Sequence, residues 1–242
     1  VKIFEGSSRL GGRVWTHHFK NGQHGELGAM RIPASHDYTR HYIKQFKLKL
    51  KSFINTSPET FRYFEGTLSL AKNASQEIGN LFNLSKRDRD AINKNDHDAI
   101  YLRIMQDILS NLDDADKAQL FGHGPLSDKL NYFDQSLLQT LRQYADTYDA
   151  VRLIGNVSVF DDYWHRSTIM FIREEIDGAF NGLEEIHGGM DCLPNTIADA
   201  PLPDGTTLRN HISFSKEVLS IDHGNGEVTI TFKQYGKLGK AN

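Results

Sequence analysis

The residues with the densest chemistry stand at the start of the chain. The apolar run Ile3-Phe4 ends in Glu5, and the pair Gly11-Gly12 follows with Arg9 and Arg13 on either side. A carboxylate at the end of a strand can accept hydrogen bonds from two vicinal hydroxyls, the task a dinucleotide fold gives to the end of its second strand. Two adjacent glycines remove two side chains and let the backbone lie close to a bulky ligand. Guanidinium groups beside them can face phosphate. The same residues also fit a plainer description, a strand, a turn and two solvated arginines. A lone Gly-Gly pair is too common to decide between the two.

A second segment supplies context. Gly25-Glu26-Leu27-Gly28-Ala29-Met30-Arg31-Ile32-Pro33 is rich in glycine, partly apolar and carries one cation. Taken with the first segment it resembles the flavin amine oxidase family, and the run from Gly28 to Pro33 is most similar to the L-amino acid oxidase branch. The resemblance implies FAD as cofactor. By motif, Glu5 takes the ribose hydroxyls, Gly11, Gly12 and Arg13 the phosphates, Gly28, Ala29 and Met30 the flavin ring, and Arg31, beside the flavin, the substrate α-carboxylate. A guanidinium fork grips a carboxylate bidentately, and oxidases of amines without a carboxylate need no such residue. Further on, Glu184-Glu185-Ile186-His187-Gly188-Gly189-Met190-Asp191-Cys192-Leu193-Pro194 resembles the family's return to its FAD-binding sheet. Val218 then matches the position where a backbone group meets the adenine. Arg173, in the run Arg173-Glu174-Glu175-Ile176-Asp177, matches a substrate-facing segment, and an arginine there implies a preference for an acidic side chain.

Whole-chain totals narrow the classes. The chain has 242 residues and a formal charge of -3, so no broad basic surface for nucleic acid or acidic membrane is implied. Its one cysteine, Cys192, excludes an internal disulfide framework and a thiolate metal cluster, and it reads as a small buried residue at a helix start. No apolar run approaches the roughly 20 residues that span a bilayer. Asn-x-Ser/Thr sequons at Asn55, Asn73, Asn83 and Asn156 argue only weakly for secretion in a chain rich in Asn. His17 and His18 alternate faces on an extended segment and cannot share one metal ion. Asp161, Asp162 and His165 read as a polar turn, and residues 173–175 would ordinarily be a solvated helix face.

The elements that must hold these residues are strand-rich at both ends and helical between. Residues 1–5 read as a strand, 6–13 as a loop, 13–19 as an extended segment and 22–33 as a loop packed near a ligand. A helix follows with Ser35 as N-cap and Tyr38, Tyr42, Ile43 and Phe46 on one face. Residues 49–54 read as a strand and 61–70 as a hairpin about Glu65-Gly66. Helical periodicity then covers 78–84, 99–112, 135–145, 150–157 and 168–176, with one more helix over 190–199. Residues 212–221 and 228–235 read as strands joined through 222–226.

This order predicts an α/β plus α protein: a partial Rossmann-like FAD-binding domain built from separated segments, a helical insertion and part of a substrate-binding domain. The segments are 1–14 for FAD, 15–74 for substrate, 75–182 helical, and 183–242 returning to FAD. The chain opens inside a strand without an initiator Met, so it is expected to be a fragment, a processed subunit or a recombinant piece. Neither the family's glycine fingerprint nor its C-terminal flavin segment is among these residues, so weak FAD binding by this piece alone is expected. Complementary segments or a homo-oligomer would complete it. The resemblance implies oxidative deamination of an L-amino acid with O₂ as oxidant and no protein base that must be named. An amino acid monooxygenase forming an amide, or a non-catalytic remnant of the same fold, are the alternatives.

Overall fold

The computed structural model describes residues 2–55, 57–94, 98–158, 160–224 and 226–241. Val1, Thr56 of the Asn55 sequon and Asn225 of the last predicted turn lie outside the described residues. The chain forms two compact units, Val1–Phe53 with Gly182–Asn242, and Ile54–Asn181.

The first unit begins with β1 (Ile3–Phe4), β2 (Thr16–His18), β3 (His24–Glu26), α1 (Asp37–Gln45) and β4 (Leu50–Ser52). The β2–β3 hairpin pairs Thr16 with Glu26 and His18 with His24, so the expected 22–33 loop contains a strand. Ser35 does not cap α1. The His36 amide bonds back to Pro33 O at 3.2 Å, and this turn moves the N-cap to His36, which has no side-chain cap bond. Of the four residues expected on one helix face, Ile43 is buried while Tyr38 is 87% exposed.

In the second unit, β5 (Phe61–Phe64) and β6 (Thr67–Leu70) form the predicted hairpin. Glu65 and Gly66 both have positive φ, 45° and 85°, the geometry that a two-residue turn of matching twist requires. Helices follow: α2 (Ala71–Gly79), α3 (Lys86–Lys94), α4 (Ala99–Leu109), α5 (Asp114–Phe121), α6 (Asp128–Asn131), α7 (Leu137–Tyr144), α8 (Tyr148–Ser158) and α9 (Thr168–Asp177). Their core is mainly aliphatic, with Ile78, Ile100, Ile104, Ile108, Leu141 and Ile172 all buried beside Phe82, Phe133 and Phe171. Phe64 packs on this core and stacks on Phe82 at 5.3 Å, which ties residues 61–70 to the helices rather than to residues 15–53. Periodicity missed α3 because its nine residues are nearly all polar around the buried Ile92. It missed α5 although Asp113 and Asp116 form a capping box there.

The chain then re-enters the first unit through β7 (Glu184–Ile186), α10 (Cys192–Asp199), β8 (Ile212–Ser213), β9 (Glu217–Gly224), β10 (Glu227–Gln234) and β11 (Lys237–Ala241). β7 pairs antiparallel with β4, and β8 runs parallel to β1. β9, β10 and β11 make a three-stranded antiparallel sheet. The expected 212–221 strand is broken between β8 and β9, where Ser215 takes φ 57°. Phe232 of β10 meets Phe4 of β1 at 5.5 Å, and Lys216 lies 4.3 Å over the Phe232 ring. A small core of Ile32, Ile43, Ile186 and Met190 joins α1, β7 and the two glycine-rich segments, with Val14 and Leu193 packed against it. Pro194 is accommodated because it stands in the first turn of α10, where its amide has no helical partner. Among the described residues no helix is long and apolar enough to cross a membrane.

Candidate functional site

Glu5 follows β1 directly, and the parallel pairing holds it there. Its amide bonds to Ser213 O at 3.0 Å and its carbonyl accepts the Lys216 amide at 2.9 Å. The Ser7 amide donates to Glu5 Oε1 at 2.7 Å, and the Ser7 hydrogen bonds hold the carboxyl below its ordinary range. Glu5 is therefore an anion, with no hydrogen-bond donor on Oε2 among the described residues.

The loop beyond it closes on itself. Gly11 has φ 100°, and a Cβ there would stand 2.5 Å from Val14 O, so this glycine is needed for the turn itself. Gly12, with φ 53°, would direct a Cβ into open space. Arg13 is exposed and its side chain has no hydrogen-bond or ion-pair partner among the described residues. Arg9 behaves differently from the sequence expectation: its guanidinium turns into the loop and bonds to backbone carbonyls.

The second glycine-rich segment lies along the first. The Leu27 amide donates to Trp15 O at 2.7 Å and the Ala29 amide to Arg13 O at 3.0 Å. Between them Gly28 sits so close that a Cβ would meet Arg13 O at 2.1 Å. Ala29 and Met30 are exposed beside this contact, an apolar stretch that a planar ring could cover. Arg31 is half-buried and precedes Ile32, whose amide and carbonyl both pair with Glu184, at 2.7 and 3.0 Å. A carboxylate, an exposed cation beside open backbone, an apolar strip and a second, half-buried cation thus follow one another in a single unit.

Several positioning residues carried no signal in the sequence. Arg40 of α1 donates to Pro33 O, Ile32 O, Gly182 O and Glu184 Oε2, locking the segment after Arg31 to β7. Glu26 of β3 accepts the Thr16 hydroxyl at 2.8 Å and the Met190 amide at 2.9 Å, while Thr16 Oγ1 accepts the Asp191 amide at 3.0 Å. Gly189 makes that junction possible, since a Cβ there would meet Thr16 Cγ2 at 2.6 Å. Glu26 and Glu184 stand inside the 25–33 and 184–194 segments, but nothing local announces their partners.

Val218 lies in β9 beside a bulge, where Thr231 pairs with Ser220 and Phe232 with Val218. Arg173 belongs to the other unit, on α9, with its Nε donating to Leu120 O at 2.6 Å. The run after it is not a purely solvated face: Glu175 accepts the Tyr101 hydroxyl at 3.2 Å, and Tyr101 is buried. Burial, then the neighbouring Asp191 charge, pushes the half-buried Cys192 thiol above its ordinary value, which removes thiolate character. His18 Nε2 lies 3.0 Å from Asp191 Oδ2, and no group of three metal-ligating side chains occurs among the described residues. An open groove of about 640 Å³ is lined by His18, Phe46, Leu48, Cys192 and Pro201 among others, and by none of the cofactor candidates.

Known proteins bear on this arrangement. A family model described as flavin containing amine oxidoreductase matches residues 1–238. An L-amino-acid oxidase of Siganus canaliculatus is 28% identical over 242 residues, covering 97% of this chain and 42% of that protein. An L-amino-acid oxidase of Crotalus adamanteus is 25% identical over 235 residues, covering 96% and 42%. The solved structure of wild-type putrescine oxidase bound to putrescine matches with a TM-score of 0.62 at 16% identity, covering 96% of this chain and 49% of that one. At that identity the likeness is one of fold. The chain spans less than half the length of the curated relatives it matches.

Proposed function

We propose, from the premise that this chain belongs to the flavin containing amine oxidoreductase family, that the complete protein oxidises an L-amino acid to a 2-oxo acid with release of ammonia and hydrogen peroxide. FAD is the cofactor of this chemistry. The observation that carries the reading is the pairing of residues 27–29 on residues 13–15, which sets the loop after Glu5 beside the segment that ends in Arg31. The residues fit a flavin dinucleotide. Glu5 Oε2 is open to ribose hydroxyls, Arg13 and the bare Gly12 are open to phosphate, and Ala29 and Met30 offer an apolar backing for a ring. The parallel β1–β8 pair is then part of a Rossmann-like FAD-binding sheet, with a Val218 backbone group toward the adenine.

FAD, when bound, supplies the two-electron acceptor for the hydride leaving the substrate Cα and passes those electrons to O₂. The chain's own residues bind and orient. Arg31 takes the α-carboxylate in a bidentate pair and thereby fixes Cα. The amine arrives deprotonated, so no general base is assigned. Water hydrolyses the imino acid to the 2-oxo acid and ammonia. On the same resemblance Arg173 favours an acidic side chain, and its Nε bond to Leu120 O would hold the guanidinium in one orientation.

The complete protein should release FAD on denaturation and yield 2-oxo acid and peroxide from L-amino acids. Absence of flavin from the purified protein, or an amide product in place of the 2-oxo acid, overturns the proposal. Peroxide release across a panel of L-amino acids, with wild type and Arg173→Leu, decides the side-chain preference. An unchanged order of substrates removes Arg173 from the site.

A further inference from the structure

Arg9 sits within the loop expected to face phosphate, yet its cation is already engaged. Nη1 donates to Leu10 O at 3.0 Å and to Val14 O at 2.8 Å, and Nη2 donates to Gly12 O at 2.7 Å. The guanidinium carbon lies 4.8 Å from the centroid of the Trp15 ring, which covers one side. Three carbonyls converge on one planar fork, a geometry that an ammonium on a flexible stem does not reproduce.

The consequence follows from the trans peptide. In each planar unit the carbonyl and the next residue's amide point in opposite directions. Turning the Leu10 and Gly12 carbonyls toward Arg9 therefore turns the Gly11 and Arg13 amides away from it. Neither amide has a hydrogen-bond partner among the described residues. Outward amides beside an unpaired guanidinium, with Gly12 open between them, leave hydrogen-bond donors and a positive charge on the outer side of the loop, the groups that an anion takes.

We propose that Arg9 is a positioning residue: it locks residues 10–14 from inside, so that the Gly11 and Arg13 amides and the Arg13 side chain face the FAD phosphates, and it does not itself touch phosphate. This rests on the reading of the loop as the FAD ribose and phosphate site. The two arginines that look equivalent in sequence then have different tasks. Arg13 supplies charge to the ligand. Arg9 supplies shape to the loop.

The test uses the complete protein with Arg9→Met, Arg9→Lys and Arg13→Met. Amide hydrogen exchange is measured on the flavin-stripped protein, with the amides of α4 as a control for folding. Arg9→Met and Arg9→Lys should both accelerate exchange at the Val14 amide, which is bonded to Gly11 O at 2.8 Å, and Arg13→Met should not. FAD should bind about 10- to 100-fold more weakly to both Arg9 variants, the scale set by losing one or two charge-assisted hydrogen bonds. Raising ionic strength should weaken FAD binding equally for wild type and Arg9→Met, whereas Arg13→Met should flatten that dependence. Wild-type affinity in Arg9→Lys, a flattened salt dependence in Arg9→Met, or unchanged Val14 exchange overturns the proposal. A complete protein that holds no flavin overturns the site reading and the cofactor role of Arg9 together. Faster Val14 exchange in that case leaves Arg9 as a structural lock of the loop only.

Discussion

Arg31 and Gly28 make opposite demands on a substitution. Arg31 offers charge and a planar fork, so Arg31→Ala in the complete enzyme should leave flavin bound and cripple turnover of α-amino acids. Loss of a bidentate charge-assisted pair in a dry site costs about 2–5 kcal/mol, which is about 30-fold to several thousand-fold in kcat/KM. Unchanged kcat/KM would remove Arg31 from the carboxylate site. Gly28 offers only the absence of a side chain. Gly28→Ala places a methyl where Arg13 O stands 2.1 Å away, so the backbone must move and the Ala29 to Arg13 bond must lengthen. A cost of about 1–3 kcal/mol is expected in the denaturant midpoint of the flavin-free protein. Gly12→Ala is the contrasting control: no atom lies within 4 Å, so only the left-handed backbone, about 1–2 kcal/mol, opposes it. Equal stability of wild type and Gly28→Ala would show that the close approach does not govern the pairing.

At the scale of elements, the contact of α4 with α9 carries a pH dependence. Tyr101 of α4 donates to Glu175 of α9. Burial raises the Glu175 pKa above its ordinary 4.5, the Tyr101 bond opposes this, and the Glu174 and Asp98 charges add to the rise. A carboxyl with a raised folded-state pKa binds its proton more tightly folded than unfolded. Its contribution is therefore fully present below the ordinary pKa and is lost as pH rises through the raised one. Glu175→Gln removes the titration and keeps an acceptor for Tyr101. The variant should thus gain on wild type as pH rises from about 4 to 7, read as the difference in Tm of the helical unit. A difference that does not vary with pH would mean that Glu175 is solvated in the folded protein. In the first unit, Glu26 ties the β2–β3 hairpin to the segment before α10, accepting both the Thr16 hydroxyl and the Met190 amide.

At the scale of the whole molecule, the division into two units separates two kinds of construction. Residues 54–181 form one continuous stretch with an aliphatic core of their own, closed by the ion pair of buried Asp88 with Arg103 at 2.7 Å. A continuous stretch with its own core can fold by itself. We expect residues 54–181, expressed alone, to unfold cooperatively with the helix content of α2–α9. A non-cooperative melt would show that the rest of the chain is required. The other unit is assembled from two stretches separated by that whole insertion. Its short strands draw partners from both, as β1 does with β8 and β4 with β7.

Local chemistry was legible from residues alone. The acid after β1, the Gly28 to Arg31 run, the turn at Glu65-Gly66 and the periodicity of α4 and α9 are each written within a few neighbouring positions. Backbone geometry and helical period act over that range. The helices α3 and α5 were not legible, because a helix that buries a single apolar side chain, Ile92 or Leu120, leaves little period to detect. The roles of partners were not legible either. Glu26 finds the Met190 amide 164 positions away, and Arg40 finds Glu184 144 positions away. Glu175 finds Tyr101 74 positions away. A hydrogen bond records no spacing in the sequence when its partner arrives from another stretch of chain. Residue types and short spacings thus marked an acid, a glycine pair flanked by arginines and the Gly28 to Arg31 run, and only the resemblance to the flavin amine oxidases implied what these groups would hold. Which donors are consumed in holding the loops was decided partly by the local turn, where Arg9 meets carbonyls one, three and five positions away, and otherwise when the separated segments packed together and buried donors had to meet acceptors.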